Sequence, residues 1–151
     1  MVEDNNSRDQ YLLLKSTKEW LQNNLVNTPI SYSAPFGNLR PITVPLLRDL
    51  GFKIAKVKST GYCNFFDPRY DFAIPMHLMS NEVTLDEIKS KIQYAIDHQC
   101  CICIYTNNVT EYGDEQSVKK AVFEEVIKFI SDNSDKITAM TMAEFYKKCV
   151  K

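Results

Sequence analysis

Segments with helical spacing alternate with segments of strand character along almost all of this 151-residue chain, and that alternation constrains the fold more than any motif does. A helix lying between two strands implies a right-handed crossover and a parallel sheet, so the expectation is an α/β fold built as one domain over residues 1–151. The first helix is expected over residues 8–24, with Leu13, Trp20, Leu21 and Leu25 near one face. Residues 30–33 read as a short strand. Pro35-Phe36-Gly37-Asn38 then turns the chain into a short helix ending at Leu50, with Gly51 in the left-handed position and Pro45 limiting how early that helix begins. Residues 52–57 alternate apolar and polar as a strand does, and about 25 residues without a clear period follow, a loop long enough to suggest function. Thr84-Leu85-Asp86-Glu87 has the form of a capping box opening a helix to about His98, striped by Leu85, Ile88, Ile92 and Ile96. Residues 101–105 are apolar on both faces, as in an interior parallel strand. A helix over 115–131 carrying Val118, Val122, Val126, Phe129 and Ile130, a strand over 137–140, and a second capping box at Thr141-Met142-Ala143-Glu144 complete the order.

Composition removes several function classes. Eighteen basic against 19 acidic side chains give a net charge of -1, which supplies no positive field for a phosphate backbone, so nucleic acid is not an expected partner. No stretch approaches the ~20 apolar residues of a membrane helix, and the polar, acidic start Met1-Val2-Glu3-Asp4-Asn5-Asn6-Ser7 is unlike a secretory signal. Five cysteines are odd in number: Cys100, Cys101 and Cys103 crowd one run, while Cys63 and Cys149 stand apart. They read as reduced, core-filling thiols and favour a cytoplasmic location. A metal pair at Cys101 and Cys103 lacks a second Cys or His pair to complete four ligands. Asn108-Val109-Thr110 matches the N-glycosylation triplet, but no secretory route accompanies it.

A succession of segments, in order over about 135 residues, resembles the later part of the polysaccharide deacetylase (NodB-homology) family. Lys18-Glu19-Trp20-Leu21 is similar to the helix that follows the family's metal-binding histidines. Tyr32-Ser33-Ala34-Pro35-Phe36-Gly37-Asn38 resembles a strand end closing in Pro-Phe/Tyr-Gly-Asn. Leu46-Leu47-Arg48-Asp49-Leu50-Gly51-Phe52-Lys53-Ile54-Ala55 resembles the next helix and strand, Asp71-Phe72-Ala73-Ile74-Pro75 the segment leading to the following helix, and residues 137–146 the closing strand and helix. The resemblance implies a deformed (β/α) barrel with mainly parallel strands, here incomplete, because a complete eight-stranded barrel needs about 200 residues or more. It also implies that the family's Asp-rich strand and His-x-x-x-His motif would lie upstream of Met1.

The departures bear on activity. The family uses a divalent metal such as zinc to activate the water that attacks an acetyl carbonyl, and this chain holds only His77 and His98. Ser33 falls where many members have Arg, Met76 likewise, and Asn107 falls where active members carry the His that acts as general acid. An amide cannot exchange a proton near neutral pH. The resemblance therefore implies a protein without catalysis of its own and without a cofactor, acting as a structural or carbohydrate-contacting module. Pro35, Phe36, Gly37, Asn107, Tyr62 and Phe66 are the candidate sugar contacts, the last two belonging to an aromatic loop with Phe65, Tyr70 and Phe72. Weak metal candidates are His77, Asp67 and Asp71, against the plainer expectation of an exposed loop with a turn at Asp67-Pro68-Arg69. The family arrangement would bring Ser33, Pro35, Asn107 and Asn108 to one mouth. Two other readings stay open: a deacetylase completed by an upstream segment or a partner chain, and a small α/β interaction domain unrelated to sugars. An exposed apolar edge near the first strand, favouring self-association or a partner, is expected of a barrel lacking its early strands.

Overall fold

The computed structural model describes residues 4–25, 27–63 and 71–150. They divide into two compact units, the first drawn from residues up to 58 together with 71–74 and 142–150, the second from 59–63 and 75–141. The described architecture is α/β, with strands paired in parallel. None of its helices is long and apolar enough to cross a membrane.

The first unit opens with α1 (Asp4–Asn24), followed by β1 (Ser31–Ser33), a 3-10 turn (Pro35–Gly37), α2 (Thr43–Asp49) and β2 (Ile54–Val57). Strands β1 and β2 run parallel, Ser31 opposite Ile54 and Ser33 opposite Lys56. Beyond β2, β1 has no partner strand among the described residues. Pro45 sits in the first turn of α2, where its missing N–H costs nothing. The helix ends as expected: Gly51 takes φ 79, its N–H donates to the Arg48 carbonyl, and the Phe52 N–H reaches back to Leu47. That double closure is the Schellman arrangement, and it turns Phe52 onto Leu47 in a core with Ala55 and Phe72.

The face of α1 differs from the expected one. Leu13, Trp20 and Leu25 are 67%, 63% and 52% exposed, while Lys18 is buried. The inward stripe is Tyr11, Leu14, Lys18 and Leu21, because Lys18 lays its methylenes on the core. Its ammonium donates to the Leu50 carbonyl at the end of α2 and lies 4.6 Å above the Phe52 ring. Desolvation, with Lys53 nearby, pulls its pKa below the usual lysine value. The first unit closes with α5 (Met142–Phe145), beginning just after Thr141, and a π-helical turn (Tyr146–Val150).

The second unit contains β3 (Ile74–Leu78, of which 75–78 belong here), α3 (Leu85–Asp97), β4 (Cys103–Tyr105), β5 (Asn108–Thr110), β6 (Ser117–Lys119) and α4 (Lys120–Asp132). Strand β3 pairs in parallel with β4, Met76 opposite Cys103, and β5 with β6, Asn108 opposite Ser117. The capping box forms as expected: the Glu87 N–H donates to Thr84 Oγ1 at 3.2 Å and the Thr84 N–H to Glu87 Oε2 at 2.8 Å. The Thr84 N–H, with the Thr84 hydroxyl also donating to Oε2 at 2.9 Å, holds the Glu87 carboxyl below its usual pKa. Helices α3 and α4 face each other over Met79, Ile88, Ile92, Val118 and Val126.

Four expectations are corrected here. Residues 74–78, expected within a loop, form a strand whose first four residues are buried, so no alternation marks it. The run 101–105 is not interior: only 103–105 are strand, all half-buried, with β3 as the one neighbouring strand among the described residues, while Cys101 makes an isolated antiparallel bridge to Cys63. The helix expected from residue 115 starts at Lys120, because Ser117–Lys119 pair as β6. Residues 137–140 are not strand, the Ile137 N–H closing back on Asn133 after α4.

Candidate ligand-binding groove

Within the first unit, a groove of about 310 Å³ runs beside the turn that follows β1. The turn is closed by the Gly37 N–H donating to the Ala34 carbonyl at 2.8 Å, with Pro35 and Phe36 at its centre. Proline presets the first central residue; the second must take a positive φ, which usually falls to Gly or Asn. Here it is Phe36, at φ 54 and ψ 15. Its side chain gains nothing from packing, since Phe36 is 97% exposed. A bulky residue held in the left-handed region and offered wholly to solvent is backbone strain without a folding return, the kind of outlier that marks a functional position.

Gly37 locks that geometry. It has φ 70, its carbonyl accepts from the Lys58 N–H at 2.7 Å, and a Cβ there would lie 2.4 Å from Lys58 Cβ. The rest of the groove combines apolar walls from Leu13, Leu14 and Tyr32 with polar groups from Gln10, Asn38 and Arg40. Gln10 is fixed from both sides: its Nε2 donates to Thr43 at 3.0 Å, and Arg40 donates to its Oε1 at 3.3 Å. Aromatic and apolar surface flanked by a cation and amides is suited to a neutral or weakly acidic polar ligand with apolar C–H faces.

Among the residues expected at a site, Pro35 and Phe36 line this groove, and buried Gly37 fixes their turn. Ser33 is exposed at the carboxyl end of β1. Asn107 is exposed after β4, its amide donating to Gln116 at 2.8 Å, and Asn108 begins β5. Tyr62 is half-buried, its ring in tilted contact with Tyr94 at 4.4 Å and His77 at 5.3 Å. Phe66 and Asp67 lie outside the described residues, as do Phe65, Arg69 and Tyr70.

His77 is not in an exposed loop but buried in β3, 6% exposed. Its Nε2–H donates to the Gly61 carbonyl at 2.8 Å, and Nδ1 is buried without a partner among the described residues. Burial lowers its pKa against the raising effect of the Gly61 bond, with Lys91 adding to the fall. Asp71 also has a buried Oδ1 without a partner among the described residues, and burial raises its pKa against the pull of Arg48. Among the described residues no three or more His, Cys, Asp or Glu side chains are grouped to hold a metal ion.

Gln10, Asn38, Arg40 and Thr43 were not legible as groove residues. Gln10 is 33 positions from Thr43, and nothing local announces that contact. Comparison with family models, with curated proteins and with solved structures finds no match to this chain.

Proposed function

We propose that the chain is a polysaccharide-deacetylase-like module that contacts carbohydrate without hydrolysing it, using the groove beside Phe36. The observation that carries this reading is Phe36 itself, 97% exposed at a positive φ and flanked by Pro35. An exposed ring supplies a stacking platform for the apolar C–H face of a sugar, while Asn38, Arg40 and Gln10 supply hydrogen bonds to hydroxyl and N-acetyl oxygens. The absence of hydrolysis follows from the substitutions that the family resemblance identifies, with Ser33 and Asn107 in place of groups that orient or donate protons.

Calorimetric titration with an N-acetylated chitooligosaccharide tests the reading. Binding is expected, and Phe36→Ala weakens it by roughly 0.5–1.5 kcal/mol, up to about tenfold. Acetate release is expected to stay at the no-protein level with or without added zinc. Absence of binding, or an equal affinity in the variant, rejects the sugar-contact reading and favours an interaction domain unrelated to sugars.

A second reading has its own support. Leu12, Leu13 and Trp20 of α1 and Leu25 just after it are exposed, and β1 lacks a second partner strand among the described residues. A further segment or partner chain that completes the barrel would cover both. Concentration-dependent sedimentation, diminished by Trp20→Glu, is its expected signature.

A further inference from the structure

The second unit places two cysteines, 38 positions apart in sequence, directly opposite each other. The Cys63 N–H donates to the Cys101 carbonyl at 3.0 Å, and the Cys101 N–H returns to the Cys63 carbonyl at 2.8 Å. That reciprocal exchange defines a hydrogen-bonded antiparallel pair, in which the Cα atoms are ~5.5 Å apart and both side chains rise from the same face. A disulfide spans Cα separations of about 4.4–6.8 Å. Cys63 Sγ already lies 3.8 Å from the Cys101 carbonyl oxygen. Cys100, the neighbour of Cys101, also senses the Cys63 thiol, which together with burial raises its pKa, but its N–H donates to the Ala95 carbonyl and it makes no reciprocal backbone pair with Cys63.

We propose that Cys63 and Cys101 form a reversible disulfide when the protein meets a hydroperoxide, making this bridge a thiol-oxidation site. Cys101 is half-buried and so within reach of a small oxidant, while Cys63 is 1% exposed and serves as the resolving thiol. In the first step the Cys101 thiolate attacks one peroxide oxygen. An S–O bond forms, the O–O bond breaks, sulfur is oxidised to sulfenic acid, and the departing hydroxide leaves as water after taking up a proton. In the second step the Cys63 thiolate attacks the Cys101 sulfur. The S–S bond forms, the S–O bond breaks, and hydroxide leaves with the Cys63 proton as a second water. Overall two thiols and one hydrogen peroxide give one disulfide and two waters.

In the reduced pair the two thiols interact directly: a hydrogen bond from the Cys101 side chain holds the Cys63 thiol below its ordinary pKa, against the opposing effect of burial. Directly opposite side chains in a hydrogen-bonded pair keep their Cβ atoms near the wide end of the ~4.5–5.5 Å range. A disulfide prefers ~3.8 Å. Closing that gap strains the bond, and strained disulfides are the readily reduced ones. The crosslink ties the segment before Cys63 to the approach to β4, closing a loop that contains β3 and α3.

The test treats the purified full-length chain with hydrogen peroxide, blocks residual thiols by alkylation, and locates the crosslink by fragmentation mass spectrometry. A Cys63–Cys101 linkage that glutathione reverses is expected. Cys101→Ser abolishes it, and Cys100→Ser and Cys103→Ser leave it intact. Oxidation is also expected to raise the urea midpoint of the wild-type chain but not of Cys101→Ser. Linkage of Cys63 to Cys100, linkage only between chains, or persistence of all five thiols under peroxide overturns the assignment. Because the wild-type linkage is read directly, a variant that fails to fold leaves the test decisive.

Discussion

The two units expose large apolar side chains to different degrees. In the second, Met79, Ile88, Ile92, Val118 and Val126 close a core between two amphipathic helices, and the large exposed hydrophobics are scattered singly as Tyr94, Val109, Tyr112 and Ile127. In the first, the core is Leu47, Phe52, Ala55 and Phe72, while Leu12, Leu13, Trp20, Leu25, Phe36 and Ile42 all project outward within about 30 positions of sequence. Scattered exposure is ordinary, whereas exposure gathered in one stretch of chain is what a ligand or partner surface requires. The proposed ligand surface therefore belongs to the first unit.

The strongest way to break this comparison is to truncate apolar side chains on each side of it. Leu47→Ala in the first unit and Val126→Ala in the second should each cost about 2–5 kcal/mol for Leu and slightly less for Val, since both are fully or almost fully buried. Leu13→Ala, at 67% exposure, should stay within about 0.5 kcal/mol. Urea unfolding reads all three. A large loss at Leu13 would mean that α1 buries the expected stripe after all.

The turn offers a sharper contrast. Gly37→Ala places a Cβ against Lys58 at a positive φ and should destabilise by about 1–3 kcal/mol in thermal unfolding. Phe36→Asn should do the opposite: it loses almost no packing, relieves a left-handed conformation, and leaves the melting temperature unchanged or higher while weakening sugar binding by up to about tenfold. A Phe36 with a structural role would lose stability and binding together.

The smallest expected effect lies in the second unit. Because burial lowers the His77 pKa below 6.5, the folded state binds fewer protons than the unfolded one, and stability falls as the pH drops through that value towards the folded pKa. His77→Leu should flatten the urea midpoint between about pH 7 and about pH 5. An unchanged pH dependence in the variant would assign it to other groups.

How much of this was legible from the residues depended on whether the determinant was local. Thr84 and Glu87 are three positions apart and specify their cap by themselves; Gly51 marks the end of α2 for the same reason. Strand β3 escaped notice because its buried residues span both faces and erase the period, with Pro75 adding a signal against a strand. The start of α4 was misplaced because Val118, Val122 and Val126 keep helical spacing across the boundary between β6 and the helix. Lys18 was overlooked as an inward residue because its charge hides a methylene stem that the core can use. The Pro35-Phe36-Gly37 turn was visible in sequence, but the partners that make it a groove come from α1, from Tyr32 of β1 and from the stretch between the turn and the start of α2.

The central claim, that the ligand surface lies beside Phe36 in the first unit, is tested most directly by following backbone amide resonances during titration with an N-acetylated chitooligosaccharide. The predicted result is saturable shifts at Phe36, Gly37, Asn38, Arg40 and Gln10, with residues 85–141 unmoved. Shifts centred on Tyr62 or Asn107, or none anywhere at saturating sugar, would contradict it.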